Sequence, residues 1–217
     1  MLGIVTGLQS EAKLAAGTAR MVISGGGRPD ATQRKIVALI AQGVSGLVSF
    51  GIAGGLDPRL ACGDLVISAT VVDVDGRRYV GDPGWLQKAL SIQPQALAGH
   101  VYASDVIVET TSQKHHLFST SDVLCADMES HHVARAAERH GLPFIVIRAI
   151  SDRATEVLPA AFADGVDEDG GTRVTPILQA LLTGRLTLPK VIQAGRSASR
   201  ALQALRRAQP ILQGLSG

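Results

Sequence analysis

The chain has 217 residues, of which 46% are hydrophobic and 18% charged, proportions that exclude a disordered protein and fit one domain with a sizeable core. Aromatic residues make up only 3% and the formal net charge is +2, so neither a base-stacking platform nor a general nucleic-acid-binding surface is expected. The two cysteines, Cys62 and Cys125, have no CxxC spacing, and we expect both to be reduced core residues.

The amino-terminal sequence MLGIVTGLQSEAKL has no basic stretch ahead of its apolar residues, so we expect no signal peptide. No apolar run approaches the roughly 18 residues that a membrane span requires. The sequence also contains no repeat and no low-complexity linker. We therefore predict a single cytoplasmic domain over residues 1–217.

Short apolar runs alternate with helical patterns along the chain. Strands are predicted at 2–5, 21–23, 46–50, 64–72, 106–108, 123–125 and 143–150, and helices at 8–16, 31–41, 85–90 and 128–139. Continuous apolar strands such as FIVI, followed by helices, are typical of a parallel sheet covered on both faces. The pattern predicts an α/β protein, a three-layer α/β/α sandwich with a mixed, mostly parallel central sheet.

Ligands of such sheets bind beyond the carboxyl ends of the strands, so segments that directly follow a strand are candidates for a site. The first, TGLQSEAKL, places Glu11 on the opening turn of a helix, where acids also occur for purely structural reasons. The second, SFGIAGGLDP, has Gly51, Gly54 and Gly55, which allow a ligand to approach the main chain. It matches neither a Walker loop nor a GxGxxG fingerprint, and a tight structural turn explains it equally well.

A third candidate combines two segments, CADMESHH and RAISDRA. Asp127 is expected to cap a helix and to place Glu129 in its first turn, where the helix dipole keeps a carboxylate ionised. Asp152 follows the apolar strand FIVIRAI, whose surroundings favour a neutral carboxyl group. Two carboxyl groups with opposite preferences are an acid–base signature. Arg148 is interpreted as a structural charge partner rather than as a catalytic group.

Taken in order, these segments resemble one enzyme superfamily. GIAGGLDP, ADMES and GLPFIVIRAISD are similar to motifs of the purine nucleoside phosphorylases and the methylthioadenosine/S-adenosylhomocysteine nucleosidases, and the similarity runs from residue 1 to about 155. The resemblance implies a nucleoside phosphorylase-like fold, a small-molecule nucleoside as ligand and a homo-oligomer. We expect no cofactor and no binding of nucleic acid.

The resemblance also implies roles for individual residues. Glu11 corresponds to the acid that activates the attacking water in the nucleosidases. Met128 would lie under the ribose, and Glu129 would bind its hydroxyl groups. Asp152, with Ser151 beside it, would face N7 and the 6-amino group of the purine. Since relatives that act on 6-oxopurines typically carry Asn at this place, Asp152 indicates adenine as the base.

Other residues of the implied pocket depart from the family pattern. Gly54 belongs to the glycine turn, whereas Val106 and Ile107 stand where the family commonly has a Phe that stacks on the base. Phe162, about ten residues beyond Asp152, corresponds to a Phe that closes over the 5′ substituent in related nucleosidases.

Water is favoured over phosphate as the attacking group. In phosphorolytic relatives the glycine turn usually carries a hydroxyl residue, and Ile52 takes that place here. Two roles are left open for Arg28: it could bind phosphate, or its side chain could be solvated. The sequence therefore favours a hydrolase that releases adenine. A phosphorylase and a non-catalytic nucleoside-binding protein remain as alternatives.

The opening GLQSEAKL and a long basic carboxyl-terminal segment resemble the hopanoid-associated branch, whose members are thought to release adenine from adenosylhopane. A general methylthioadenosine/S-adenosylhomocysteine nucleosidase is the alternative.

Residues 172–217 contain seven Lys or Arg and no acid. We predict a basic amphipathic helix at about 188–207, with an apolar face formed by Val191, Gly195, Ala198, Leu202 and Leu205. Two interpretations stay open: contact with an anionic inner-membrane surface that holds a lipid-linked substrate, or packing of a last helix on the sheet.

The histidines give no sign of a metal site. Adjacent side chains on a helix, as in the pairs His115–His116 and His131–His132, point about 100° apart, so neither pair is expected to bind a metal. We expect His131 and His132 at the surface.

Overall fold

In the computed structural model, which describes residues 1–17, 20–26, 28–158, 170–171, 175–183 and 186–216, a ten-stranded sheet forms the centre of the protein. Its strands are β1 (Leu2–Thr6), β2 (Arg20–Ser24), β3 (Gly46–Gly55), β4 (Leu65–Ser68), β5 (Thr70–Val72), β6 (Arg78–Val80), β7 (Leu97–Ala98), β8 (His100–Ala103), β9 (Val123–Asp127) and β10 (Phe144–Asp152). The helices are α1 (Gln9–Ala15), α2 (Pro29–Ala41), α3 (Pro83–Ile92), α4 (Thr111–Ser121), α5 (Ser130–His140), α6 (Thr175–Leu182) and α7 (Leu188–Leu215).

The sheet is mixed, and most of its pairings are parallel. β3 pairs in parallel with β1 and with β10, and β2 continues the parallel order beyond β1. Antiparallel pairs join β10 to β4, β3 to β9 and β5 to β6. The order through the rest of the sheet is β6-β5-β8-β9-β3-β10-β4-β7.

Helices cover both faces of this sheet. Alternate residues of a strand point to opposite faces, so Val146 of β10 packs in one core while Ile145 and Ile147 pack in the other. The first core receives apolar side chains from α2 and α5, and the second receives them from α1, α3 and α7. The predicted three-layer α/β/α fold is confirmed.

The last helix is longer than predicted and packs on the sheet. It ends at Leu215 rather than near residue 207, and its buried stripe includes Ala201, Ala204, Leu205 and Ala208. The predicted apolar face is therefore wrong in part, since Gly195 is exposed. Small alanine side chains bring the helix close to β10. Within the part of the chain that the structure describes, no helix is both long and apolar enough to span a bilayer.

Three predicted segments differ in the structure. The run at 64–72 forms two strands, β4 and β5, because the chain breaks at Ala69. The predicted strand at 106–108 is wrong: the chain leaves β8 at Ala103, and the Ser104 hydroxyl donates to the carbonyl of Val106 (2.6 Å), which stabilises a loop. The glycine segment predicted as a loop continues β3 as far as Gly55, so its backbone is held in the sheet.

Candidate active site

A fully buried arginine lies at the centre of the candidate site. Arg148 on β10 is paired in register with Gly51 on β3. Its Nε donates to Asp127 Oδ2 (2.7 Å), and its Nη2 donates to the hydroxyls of Ser49 (2.6 Å) and Ser130 (3.1 Å). A Cβ at position 51 would come within 2.5 Å of Arg148 Nη1, so only glycine leaves room for the guanidinium.

Asp127 joins this arginine to the start of α5. Its Oδ1 accepts hydrogen bonds from the backbone N–H groups of Glu129 (2.9 Å) and Ser130 (2.7 Å). Burial by itself would raise the pKa of Asp127, but Arg148 and the donors of Ser130 outweigh burial and lower that pKa. The expected N-cap is wrong, because Glu129 rather than Asp127 precedes the first helical residue, yet Asp127 still accepts from N–H groups at the helix start.

Glu129 is buried beside the same arginine. Its Oε2 lies 3.7 Å from Arg148 Nη2, and its carboxyl group packs against Gly7, where a Cβ would meet Oε1 at 2.7 Å. Burial raises the pKa of Glu129 to about 8, and the charges of Asp127 and Glu11 add to the rise while Arg148 opposes it. The expectation that a helix dipole keeps Glu129 ionised is therefore wrong, because desolvation and neighbouring acids dominate.

Glu11 bridges the end of β1 and the middle of β3. Its Oε2 accepts from the backbone N–H groups of Gly7 (2.9 Å) and Leu8 (2.8 Å), and its Oε1 accepts from that of Ile52 (2.8 Å). Burial raises the pKa of Glu11, although these three donors and Arg148 oppose the rise. The helix start thus holds the carboxyl group in one orientation and makes it a stronger base than an exposed glutamate.

One nitrogen of the Arg148 guanidinium, next to Glu11, has no hydrogen-bond partner in the described part of the chain. Among the buried side-chain atoms that the structure describes, Arg148 Nη1 is one of three without a hydrogen-bond partner. Both this atom and Glu11 Oε2 approach Gly51, at 2.5 and 2.8 Å from the place of a Cβ. An unpaired buried donor costs about 1–3 kcal/mol, which a bound polar molecule would recover. The unpaired donor and the buried acid thus lie against the same glycine.

Asp152 closes the other side of the site. It lies beside Gly54 in the register of β10 and β3, and its Oδ1 accepts from the hydroxyl of Ser151 (2.9 Å). Its Oδ2 forms an ion pair with the buried Nζ of Lys114 (2.5 Å). The surroundings of Asp152, expected to be apolar, therefore include a buried cation.

The two ends of the site are separated by a short length of one strand. Glu11 is bonded to Ile52 and Asp152 lies beside Gly54, two residues farther along β3. At the rise of a β-strand this corresponds to about 7 Å. The carboxyl groups of Glu11 and Asp152 are therefore anchored at neighbouring positions of the same strand.

Comparison with known proteins identifies the family. The family model described as the phosphorylase superfamily matches residues 6–183. The chain belongs to the phosphorylase superfamily. A 5′-methylthioadenosine/S-adenosylhomocysteine nucleosidase of Listeria welshimeri is 29% identical over 163 residues, which cover 63% of this chain and 70% of that relative.

Solved structures of this superfamily share the fold. The Helicobacter pylori 5′-methylthioadenosine/S-adenosylhomocysteine nucleosidase with butyl-thio-DADMe-Immucillin-A has a TM-score of 0.71 at 18% identity, covering 98% of this chain and 95% of that chain. The futalosine hydrolase of the same organism has a TM-score of 0.69 at 16% identity, covering 99% and 96%. The expectation of an enzyme of this superfamily is confirmed.

The remaining residues that the superfamily motifs indicated lie at different depths. Met128 is half-buried next to Glu129, and Ile107 is half-buried in the loop after β8. Val106 in the same loop is 72% exposed, so in this chain it offers no covered surface to a base. Phe162 lies outside the described residues.

The histidine pair of α5 is buried, which corrects the expected surface position. The Nε2 atoms of His131 and His132 lie 3.0 and 2.8 Å from Asp105 Oδ1, and the first turn of α5 directs both rings towards the loop after β8. Burial lowers the pKa of His132 to about 4. These three residues are a group with metal-ligand atoms within 4.8 Å of one another, so adjacent helical positions can converge on one point after all.

Lys114 and the free donor of Arg148 were not predicted from the sequence. Lys114 lies on α4, a helix that the sequence patterns missed, and is fully buried. Its position is three and four residues before Leu117 and Phe118, which pack inward. A lysine on the apolar face of a helix was the available signal.

The raised pKa of Glu129 predicts a pH-dependent stability. The folded protein binds the proton more tightly than an unfolded glutamate of pKa 4.5, so this contribution is complete below pH 4.5 and is lost as the pH rises to about 8. Glu129→Gln should therefore melt at a higher temperature than the unmodified protein at pH 8.5, by about 2–4 °C for each 1 kcal/mol of stability regained. At pH 5 the two proteins should melt at similar temperatures. Thermal unfolding at both pH values checks this, with exposed Glu138→Gln as control; equal shifts for both variants would contradict it.

Proposed function

We propose that the protein hydrolyses the N-glycosidic bond of an adenosine with a 5′ substituent and releases adenine. The observation that carries the proposal is the pairing of a buried base, Glu11, with the unpartnered Nη1 of Arg148 at Gly51. A water molecule that reaches both groups would donate to Glu11 and accept from Arg148. Glu11 would take its proton as the oxygen attacks the anomeric carbon, a step that contributes about 10²–10⁴-fold in rate.

The charges around this place favour water over phosphate. Three buried carboxyl groups, those of Glu11, Asp127 and Glu129, surround the single cation of Arg148. Most donors of that cation are already bound to Asp127 and to hydroxyl groups. A phosphate dianion would meet the ionised Asp127 and few free donors, whereas the neutral water molecule needs one acceptor and one donor.

One of these acids, Glu129, would also bind the sugar. Loss of the base leaves positive charge on the ribose ring, as in other glycosidic cleavage. Glu129, next to Met128 at the start of α5, would bind the ribose hydroxyls and orient the ring for attack. Its carboxyl group, with a pKa of about 8, can both donate to and accept from these hydroxyls.

Asp152 would bind the base. A carboxyl group can donate to N7 of adenine through one oxygen and accept from the 6-amino group through the other. Protonation of N7 makes adenine a better leaving group, and Ser151 fixes the carboxyl plane through Oδ1. A 6-oxopurine would place its carbonyl oxygen against the accepting oxygen, which disfavours guanine and hypoxanthine.

We propose adenosylhopane, a lipid-linked nucleoside of hopanoid synthesis, as the substrate. Related enzymes are named for different 5′ groups, including methylthioadenosine and futalosine. The sequence GLQSEAKL at the site and the basic α7 support the lipid-linked choice. The first turns of α7 expose Leu188, Ile192 and Lys190, which suits peripheral contact with an anionic membrane. We propose a cytoplasmic homo-oligomer.

Product analysis tests this function. The purified protein should release adenine from 5′-substituted adenosines without phosphate, and phosphate should not change the rate. Chromatography of adenine and of the sugar after incubation with methylthioadenosine, S-adenosylhomocysteine and adenosylhopane measures both points and ranks the substrates. Strict phosphate dependence would indicate a phosphorylase. Binding of adenosines without any turnover would indicate a nucleoside-binding protein.

A further inference from the structure

We propose that Lys114 is a positioning residue for Asp152, holding its carboxylate in place and stabilising the negative charge that this group gains when it protonates the departing base. The inference rests on the proposed function. It concerns a residue of α4, away from the strand ends that form the rest of the site.

The hydrogen bonds of Lys114 occupy its whole ammonium group. Its Nζ donates to Asp152 Oδ2 (2.5 Å) and to the carbonyls of Arg153 (2.9 Å) and Glu156 (2.8 Å). These bonds use all three N–H groups of an ammonium. The lysine therefore has no N–H left for a ligand, and its effect on a reaction passes through Asp152.

The burial of Lys114 must be offset by favourable contacts, because burying a charge costs several kcal/mol unless the charge is paired and hydrogen-bonded. Lys114 has no exposed surface, and Asp152 is the charged side chain at its Nζ. The Glu156 carboxylate is directed elsewhere, to the Arg153 N–H and to Gln193 on α7. The contact with Asp152 places the cation at the group proposed to bind the base.

The ion pair gives Asp152 a simple proton cycle. In the empty site the pair is a carboxylate and an ammonium. Asp152 takes one proton from solvent as the substrate binds, and its O–H donates to N7. When the bond between the anomeric carbon and N9 breaks, the electron pair goes to adenine, the O–H bond breaks and N7–H forms. Asp152 is again a carboxylate beside Lys114, and the proton of the attacking water leaves through Glu11.

Because Lys114 stabilises the carboxylate formed in the transition state more than the neutral acid, it should act on kcat. Lys114→Met is expected to lower kcat about 10- to 100-fold, part of the effect of acid catalysis, and to change KM less than about threefold. Lys88→Met, an exposed lysine of α3, is the matched control and should keep the unmodified kcat. Lys114→Arg, which keeps a cation, should retain kcat within about tenfold of the unmodified protein.

A double-mutant cycle separates this role from a structural one. If Lys114 acts through Asp152, Lys114→Met should cause no further loss of kcat in an Asp152→Asn background, whereas independent effects would multiply. Thermal melts show which variants are folded. Lys114→Gln, which keeps donors for the two carbonyls without a charge, replaces the methionine variant if that variant does not fold.

Adenine binding provides a readout that does not need turnover. The oriented carboxylate should bind the N7–H form of adenine, so calorimetry should find about tenfold weaker binding to Lys114→Met. If the unmodified protein binds adenine in this Lys114-dependent way but splits no nucleoside, the proposed function fails and the role of Lys114 stands. Unchanged kcat and adenine affinity in folded Lys114→Met, or additive losses in the cycle, would overturn the inference.

Discussion

Glu11→Gln should lower kcat for adenine release by about 10²–10⁴-fold, because the amide cannot take the proton of the attacking water. Thermal melts check that the variant is folded, because the amide nitrogen would face backbone N–H groups that donate to Glu11 in the unmodified protein. The loss should appear in kcat more than in KM, since the carboxyl group acts on the reaction rather than on the bound nucleoside.

The control for this variant is Glu138→Gln, which removes an exposed acid paired with Arg77. Steady-state assays of both proteins with methylthioadenosine, accompanied by thermal melts, make the comparison. A Glu11→Gln protein that keeps more than about a tenth of the unmodified kcat would remove Glu11 from the proposed mechanism.

Arg148→Met should destabilise the protein by about 3–5 kcal/mol, the range found when one partner of a buried ion pair is removed. The guanidinium is fully buried and is the cation for Asp127, Glu129 and Glu11. Without it, three acids would face one another in an apolar core. For a chain of this length the melting temperature should fall by about 6–20 °C.

Arg77→Met is the matched comparison, since that arginine pairs with Glu138 at the surface and such pairs contribute about 0–1 kcal/mol. Addition of Asp127→Asn to Arg148→Met should recover part of the loss, because it removes the acid most closely bound to the arginine. Equal melting temperatures for the two arginine variants would contradict the central role of Arg148.

The strands and helices with regular patterns could be predicted from the sequence. The apolar run ending at Asp152 and the helix that follows Glu129 lie within two residues of their predicted places. Glu11 and Asp152 come together because β1, β3 and β10 are parallel neighbours, and Glu129 joins them because β9 pairs with the end of β3. Sequence order alone indicated these acids, and the sheet supplies the reason that they meet.

The protonation preferences of the acids could not be predicted in the same way. Local signals favour an ionised Glu129, yet the structure buries it among acids and raises its pKa to about 8. The cation beside Asp152 comes from Lys114, 38 positions away in the chain. Helix dipoles and strand composition are local, whereas desolvation and charge pairing depend on the fold.

The central claim is that water attacks the anomeric carbon, and isotope labelling tests it most directly. The unmodified protein would be incubated with methylthioadenosine in water enriched in ¹⁸O, with and without phosphate, and the released sugar analysed by mass spectrometry after a short reaction time. The account predicts one ¹⁸O atom in the sugar at the anomeric position under both conditions, together with free adenine. A sugar 1-phosphate formed only when phosphate is present would contradict it.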